Sequence, residues 1–164
     1  HIGPEETAGD LHDRLMKMGA KIVVKTIRGI ITGQARAVEQ HRMNNTGSLK
    51  PAPKLFREDC RIDWKKDASL IHNLVRGLSP YPTAWSEISN PTGELMLVKI
   101  FKCRYREILY REKPGTVLSD GREYLNVATG KGILEIERIQ VEGRKQMDTI
   151  EFLRGFPIRE YRFL

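Results

Sequence analysis

Residues 133–141, ILEIERIQV, carry apolar side chains in two opposite phases. Leu134 and Ile136 fall on one face of an extended chain, whereas Ile139 and Val141 fall on the other. One flat strand cannot bury all four. An extra residue near Glu137–Arg138, a β-bulge, returns them to a common side. Bulges bend a strand and let a short sheet curl closed, so this stretch argues for a small barrel rather than an open sheet.

The flanking sequence supplies further strands. TAWSEI (83–88) and LMLVKIFKCRY (95–105) are joined by SNPTGE, a hairpin connection with Pro and Gly. TVLS is followed by Asp120-Gly121, a tight-turn dipeptide, and YLNVA by the turn TGKG. About four or five strands with turns every 8–12 residues or so predict a barrel. Two helices accompany it. One is capped by Asp67, with apolar positions Leu70, Ile71, Leu74, Val75 and Leu78, and ends at Gly77 and Pro80. The other, DTIEFLRG, has Asp148 at its cap and Gly155 at its stop.

Upstream, residues 4–33 read as one helix with a broken apolar stripe of Leu11, Leu15, Met18, Ile22, Ile27 and Ile30. Gly19 is a candidate break and Gly33 a stop. One helix cannot bury its own stripe. Between 34 and 53 periodicity is lost, and HRMNNTGSLKPAP has linker composition. The chain therefore divides into 1–33, a linker 34–53, and a barrel unit 54–164. The fold class is α+β: a small β-barrel with peripheral helices, preceded by a helical segment that needs a packing partner.

Several function classes drop out. No apolar run reaches the ~18 residues of a membrane span, and the N-terminus has no signal-peptide pattern. Cys60 and Cys103 make neither a disulfide framework nor a zinc spacing, and the scattered His residues give no metal site. TGKG lacks the upstream Gly of a phosphate loop and lies between strands. Ser79, His72 and Asp63 form no triad with a nucleophile elbow, and His72 reads as a helix-surface residue. Trp64 and Trp85 read as packing anchors, with Pro80-Tyr81-Pro82 a rigid turn before the strand.

Charge is the remaining lead. The 28 Lys+Arg exceed the 21 Asp+Glu, for a net charge of +7, which points to a polyanionic partner. In VKIFKCRYRE, Lys102, Arg104 and Arg106 alternate with Phe101, Cys103 and Tyr105. On a strand they form a row of cations about 7 Å apart. Such a row suits a phosphate backbone or is a solvated outer face; the residues alone leave both readings open. Arg144-Lys145 sits in a loop after a strand, and Lys54 and Arg57 lie at the domain junction.

ETAGDLHDRL, APKLFREDCRIDW, IHNLVRGLSPYPTAW, PGTVLSDG, VATGKGILEIERIQVEGRKQM and FLRG, in that order, resemble the C-terminal half of the methionyl-tRNA formyltransferase family. The resemblance implies an enzyme that moves a formyl group from 10-formyltetrahydrofolate to the methionine amino group of initiator methionyl-tRNA. It implies a Rossmann-like catalytic domain, ending in 1–33, that holds the catalytic residues and the folate site outside this chain. By the same resemblance the barrel is OB-like and helps hold the tRNA, with Lys54 and Arg57 near its acceptor end. An inert fragment, a cytoplasmic monomeric intact enzyme, and self-association of the fragment through its exposed stripe follow as expectations. Two rivals remain: a sugar-nucleotide formyltransferase, in which the barrel is structural, and a stand-alone RNA-binding barrel.

Overall fold

A computed structural model describes residues 1–39, 51–109 and 111–164. Residues 40–50, the greater part of the expected linker, lie outside the described residues. Two units result: His1–Gly9 with Phe56–Leu164, and Asp10–Leu55.

Helix α1, Ala8–Ile31, runs unbroken through Gly19. A single glycine costs about 1 kcal/mol in a helix, too little to interrupt one this long. Gly33 does stop it. Gly33 adopts φ +71, its N–H donates to the Ile30 carbonyl, and the Gln34 N–H donates to Gly29. This is a Schellman cap, which satisfies the last helical carbonyls. No residue of α1 is buried, and Leu15, Met18, Ile22, Ile27 and Ile30 of its stripe are all exposed.

The larger unit is built on antiparallel strands. β1 (Ala84–Ser89) pairs with β2 (Leu95–Arg106) through the expected hairpin. At its tip the Asn90 Oδ1 accepts from the Thr92 and Glu94 N–H groups at 3.0 and 2.8 Å. β3 (Val117–Ser119), β4 (Leu125–Ala128) and β5 (Ile133–Val141) form a meander, β6 (Met147–Asp148) pairs with β5, and β7 (Arg162–Phe163) with β1. The order β3-β4-β5-β2-β1-β7 closes on itself. Thr116 bridges Arg162, and the Phe163 N–H donates to the Gly115 carbonyl at 2.9 Å. Gly115 has φ +88, and a Cβ there would collide with the Phe163 carbonyl oxygen, so the closing seam requires glycine.

The bulge lies where the phase change demands it. Ile100 pairs with Ile139, Lys102 with Arg138, and Cys103 with Ile136. Phe101 is thus extra in β2 and Glu137 extra in β5, and Leu134, Ile136, Ile139 and Val141 are all buried. The Ile136 carbonyl accepts from the Thr149 hydroxyl, which ties α3 (Thr149–Gly155) to the bulge. Asp148 caps α3, its carboxylate accepting from the Glu151 N–H at 2.8 Å.

Helix α2 (Ala68–Leu78) covers the barrel with Ala68, Ile71, His72, Val75 and Leu78. The buried face is rotated from the expected one: Leu70 is exposed, whereas His72 is buried, not on the surface. The rotation follows from how α2 begins. Asp67 occupies the cap position, but its side chain makes no capping bond. The Ala68 N–H instead donates to the Lys131 carbonyl at 2.9 Å, which seats Ala68 against the β4–β5 turn. That turn is TGKG. The Gly130 N–H donates to the Trp64 and Lys66 carbonyls, and a Cβ on Gly130 would overlap the Lys65 carbonyl oxygen.

Trp64 is the anchor that its sequence suggests. It is buried, its indole N–H donates to Ser86 Oγ at 2.9 Å, and its ring meets Phe163 edge-on at 5.0 Å. Trp85 is buried as well, while Tyr81 is exposed. The Asp120-Gly121 turn is wider than a two-residue hairpin, since Ser119 pairs with Leu125. The Asp120 carboxylate explains the width: it accepts the N–H groups of Arg122, Glu123 and Tyr124.

Candidate nucleic-acid interface

Lys102, Arg104 and Arg106 project from β2 on the exposed face, with Cys103 buried behind them. Each meets a carboxylate of β5. Lys102 Nζ lies 2.8 Å and Arg104 Nε 2.6 Å from Glu137, and Arg106 lies 2.6 Å from Glu135. Glu137 is the extra residue of the bulge, so the device that bends the strand also seats an acid between two cations. Three cations against two carboxylates leave this row a net charge of one. The cations are 60–65% exposed, so the pairs neutralise charge more than they add stability, about 0–1 kcal/mol each.

The other expected contacts are distributed around the barrel unit and its upstream boundary. Lys54 is exposed. Arg57 lays its guanidinium over the Trp85 ring at 5.0 Å, and its carbonyl accepts the Trp85 indole N–H at 2.8 Å. Arg61 covers the same ring at 5.2 Å while pairing with Glu87 at 2.8 Å. At the β5–β6 turn, Arg144 and Lys145 both pack against α3 or the segment that follows it. Arg144 sits over Phe156 at 5.5 Å. Lys145 pairs with Glu151 at 2.7 Å, and hydrogen bonding to that carboxylate raises the Lys145 pKa.

Sequence reasoning missed a different group. A cavity of about 800 Å³ is lined by Arg122 from the β3–β4 loop, Arg154 from the last turn of α3, and Arg159 from the short 3-10 turn Ile158–Glu160. No ion pair joins these arginines to any described residue. Asp120 and Glu160 share the lining. Backbone N–H donors, Glu123 and Arg122 foremost, hold the Asp120 carboxyl below its usual range. Phe156 and Tyr161 form part of the wall. No sequence signal joins these arginines, because only the tertiary fold brings their elements together.

His72 engages the N-terminal segment rather than Ser79 or Asp63. Its Nε2 lies 3.6 Å from Glu5 Oε2, and its ring is 5.2 Å from Tyr105. Arg76 donates to the Gly3 and Glu6 carbonyls beside it. Among the described residues no cluster of three or more His, Cys, Asp or Glu could hold a metal ion, and no helix is long and apolar enough to cross a membrane.

The family described as "Formyl transferase, C-terminal domain" matches residues 54–157. A methionyl-tRNA formyltransferase from Bacteroides fragilis is 41% identical over 150 residues, which is 92% of this chain and 46% of that protein. One from Porphyromonas gingivalis is 38% identical over 159 residues, 96% of this chain and 49% of that protein. The chain thus spans about half the length of the curated relatives it matches. Among solved structures, a HypX variant from Aquifex aeolicus superposes with a TM-score of 0.56 at 23% identity, covering 82% of this chain and 23% of that one. That likeness shows a shared fold, in keeping with the barrel-like closed sheet described above.

Proposed function

The chain belongs to the formyl transferase C-terminal domain family, and from that membership we propose that it is the tRNA-holding half of a methionyl-tRNA formyltransferase. The observation that carries the proposal is the extent of the match: relatives of that name align with the helical segment and the barrel together, over 92–96% of this chain. Its net charge of +7 suits a polyanionic substrate.

On this reading the intact, cytoplasmic enzyme formylates initiator methionyl-tRNA with 10-formyltetrahydrofolate. Attack of the methionine amine on the formyl carbon needs a proton acceptor and a donor for the developing oxyanion. Both, with the folate site, belong to the half of the relatives that this chain does not cover. The residues 1–33 close that catalytic domain, 34–53 link it to the barrel, and 54–164 hold tRNA. Lys54, Arg57, Lys102, Arg104, Arg106, Arg144 and Lys145 are the proposed contacts. The strand row contributes less than its three charges suggest, since Glu135 and Glu137 compete with phosphate for it. The exposed stripe of α1 leads the isolated chain to self-associate, whereas the intact enzyme is a monomer.

The test mixes the chain with methionyl initiator tRNA and 10-formyltetrahydrofolate. Retention of tRNA at about 50 mM salt without formyl transfer is expected. Formyl transfer by the chain alone, or no tRNA retention, overturns the assignment.

A further inference from the structure

We propose that the groove lined by Arg122, Arg154 and Arg159 grips the phosphodiester backbone of a base-paired tRNA stem and reads no base. The inference rests on the tRNA-holding role proposed above and names a surface for it that the sequence does not reveal.

Availability of donors is the first argument. An Arg guanidinium offers five N–H donors in a fixed fork that fits phosphate. Each cation of the β2 row already faces a carboxylate, Glu135 or Glu137, that a phosphate would have to compete with. The three groove arginines have no carboxylate within ion-pair distance among the described residues, yet they line one cavity of about 800 Å³. The two acids of the lining weaken the site only in part. The Asp120 carboxylate is occupied by the N–H groups of Arg122, Glu123 and Tyr124. Those bonds also fix the loop that carries Arg122. Both Asp120, which those bonds keep ionised, and Glu160 remain as counter-charges, but neither forms an ion pair with the three arginines. Arg144, poised over Phe156, lies beside the groove and adds a fourth guanidinium to its rim.

The state of the rings selects the kind of nucleic acid. Single-strand binding needs open aromatic faces for bases to stack on. Phe156 is stacked on Phe152 at 5.0 Å and 18°, carries the Arg144 guanidinium at 5.5 Å, and meets Tyr161 at 5.6 Å. Its faces are taken. Tyr161, the other ring of the wall, leans on Phe156, and the lining's main offer to a ligand is its cations, which position a backbone without sequence readout. Anchoring supports the same view. Arg159 packs so closely over Gly121 that a Cβ there would lie 2.9 Å from its Nε. The 3-10 turn and the β3–β4 loop therefore hold their arginines in register with each other.

The experiment titrates the 164-residue chain with an initiator tRNA transcript over a range of KCl concentrations. The triple variant R122A/R154A/R159A is expected to flatten the slope of log K against log salt by about 2–3 and to weaken binding about 10-fold or more near 0.1 M salt. R122K/R154K/R159K, which keeps the charge, is expected to retain most of the slope. Thermal melts report whether each variant folds; if the triple alanine does not, single Arg→Gln variants each lower the slope by about 1. A fully paired RNA stem competes for the groove, whereas an unpaired oligonucleotide of equal length competes less. A wild-type chain that binds while the folded alanine or glutamine variants keep its slope and affinity overturns the groove and leaves the tRNA-holding role intact. Stronger competition by the unpaired strand also overturns it. A wild-type chain without tRNA affinity overturns that role and the groove with it.

Discussion

Replacing Glu137 by Gln separates the two readings of the β2 row. The substitution preserves side-chain volume and removes the carboxylate that neutralises Lys102 at 2.8 Å and Arg104 at 2.6 Å. The net charge of the row rises by one. Both cations are more than half exposed, so the two lost pairs cost modest stability, about 0–2 kcal/mol in total. If the row lies against phosphate, one more counterion is released on binding. The salt slope then steepens by about 0.9, and affinity near 0.1 M salt rises about 5- to 10-fold. The assay is a fluorescence titration with initiator tRNA at several KCl concentrations, paired with a thermal melt. Tighter, more salt-sensitive binding with at most a modest fall in Tm is the expected outcome. An unchanged slope in a folded protein would refute the placement of the row at the interface and leave it a solvated outer face.

The remaining predictions concern the scaffold. Trp64→Ala removes a buried ring and the donor to Ser86, and denaturant unfolding should show a loss of about 3–5 kcal/mol; a loss below about 1 kcal/mol would deny Trp64 its anchoring role. Gly115→Ala places a Cβ against the Phe163 carbonyl at φ +88, and should cost about 2 kcal/mol or more, with early hydrogen exchange at Phe163. Burial, with lesser contributions from Glu137 and Glu5, pushes the Cys103 thiol far above its ordinary value. It should resist alkylation at pH 8 until the chain unfolds. The sign of the linkage is fixed: the thiol's contribution to stability is present below the unfolded pKa and falls as pH rises above about 8.5, where only the unfolded thiol ionises.

Where the sequence was informative, the signal was local. The opposed phases of Leu134–Ile136 and Ile139–Val141 announced a bulge because side-chain period is a property of one strand. Gly33 announced a helix stop because φ +71 favours glycine. His72 was misread because the buried face of α2 is set by Ala68 against Lys131, a contact with a distant turn. The partners of Lys102, Arg104 and Arg106 were invisible for the same reason, since strand register decides which acid faces which cation. Arg122, Arg154 and Arg159 look unremarkable in sequence, where they occupy a loop, a helix end and a 3-10 turn. Charge count pointed toward a polyanion; the choice of cations depended on which of them the fold had already neutralised.

The most direct test of the barrel as a tRNA grip is hydrogen–deuterium exchange of the chain with and without initiator tRNA. Protection is predicted in the loop at 120–124 and in the segment 144–160. It should be absent from the TGKG turn, where Gly130 already donates to Trp64 and Lys66. No protection anywhere in the barrel unit at saturating tRNA, or protection confined to α1, would contradict the account.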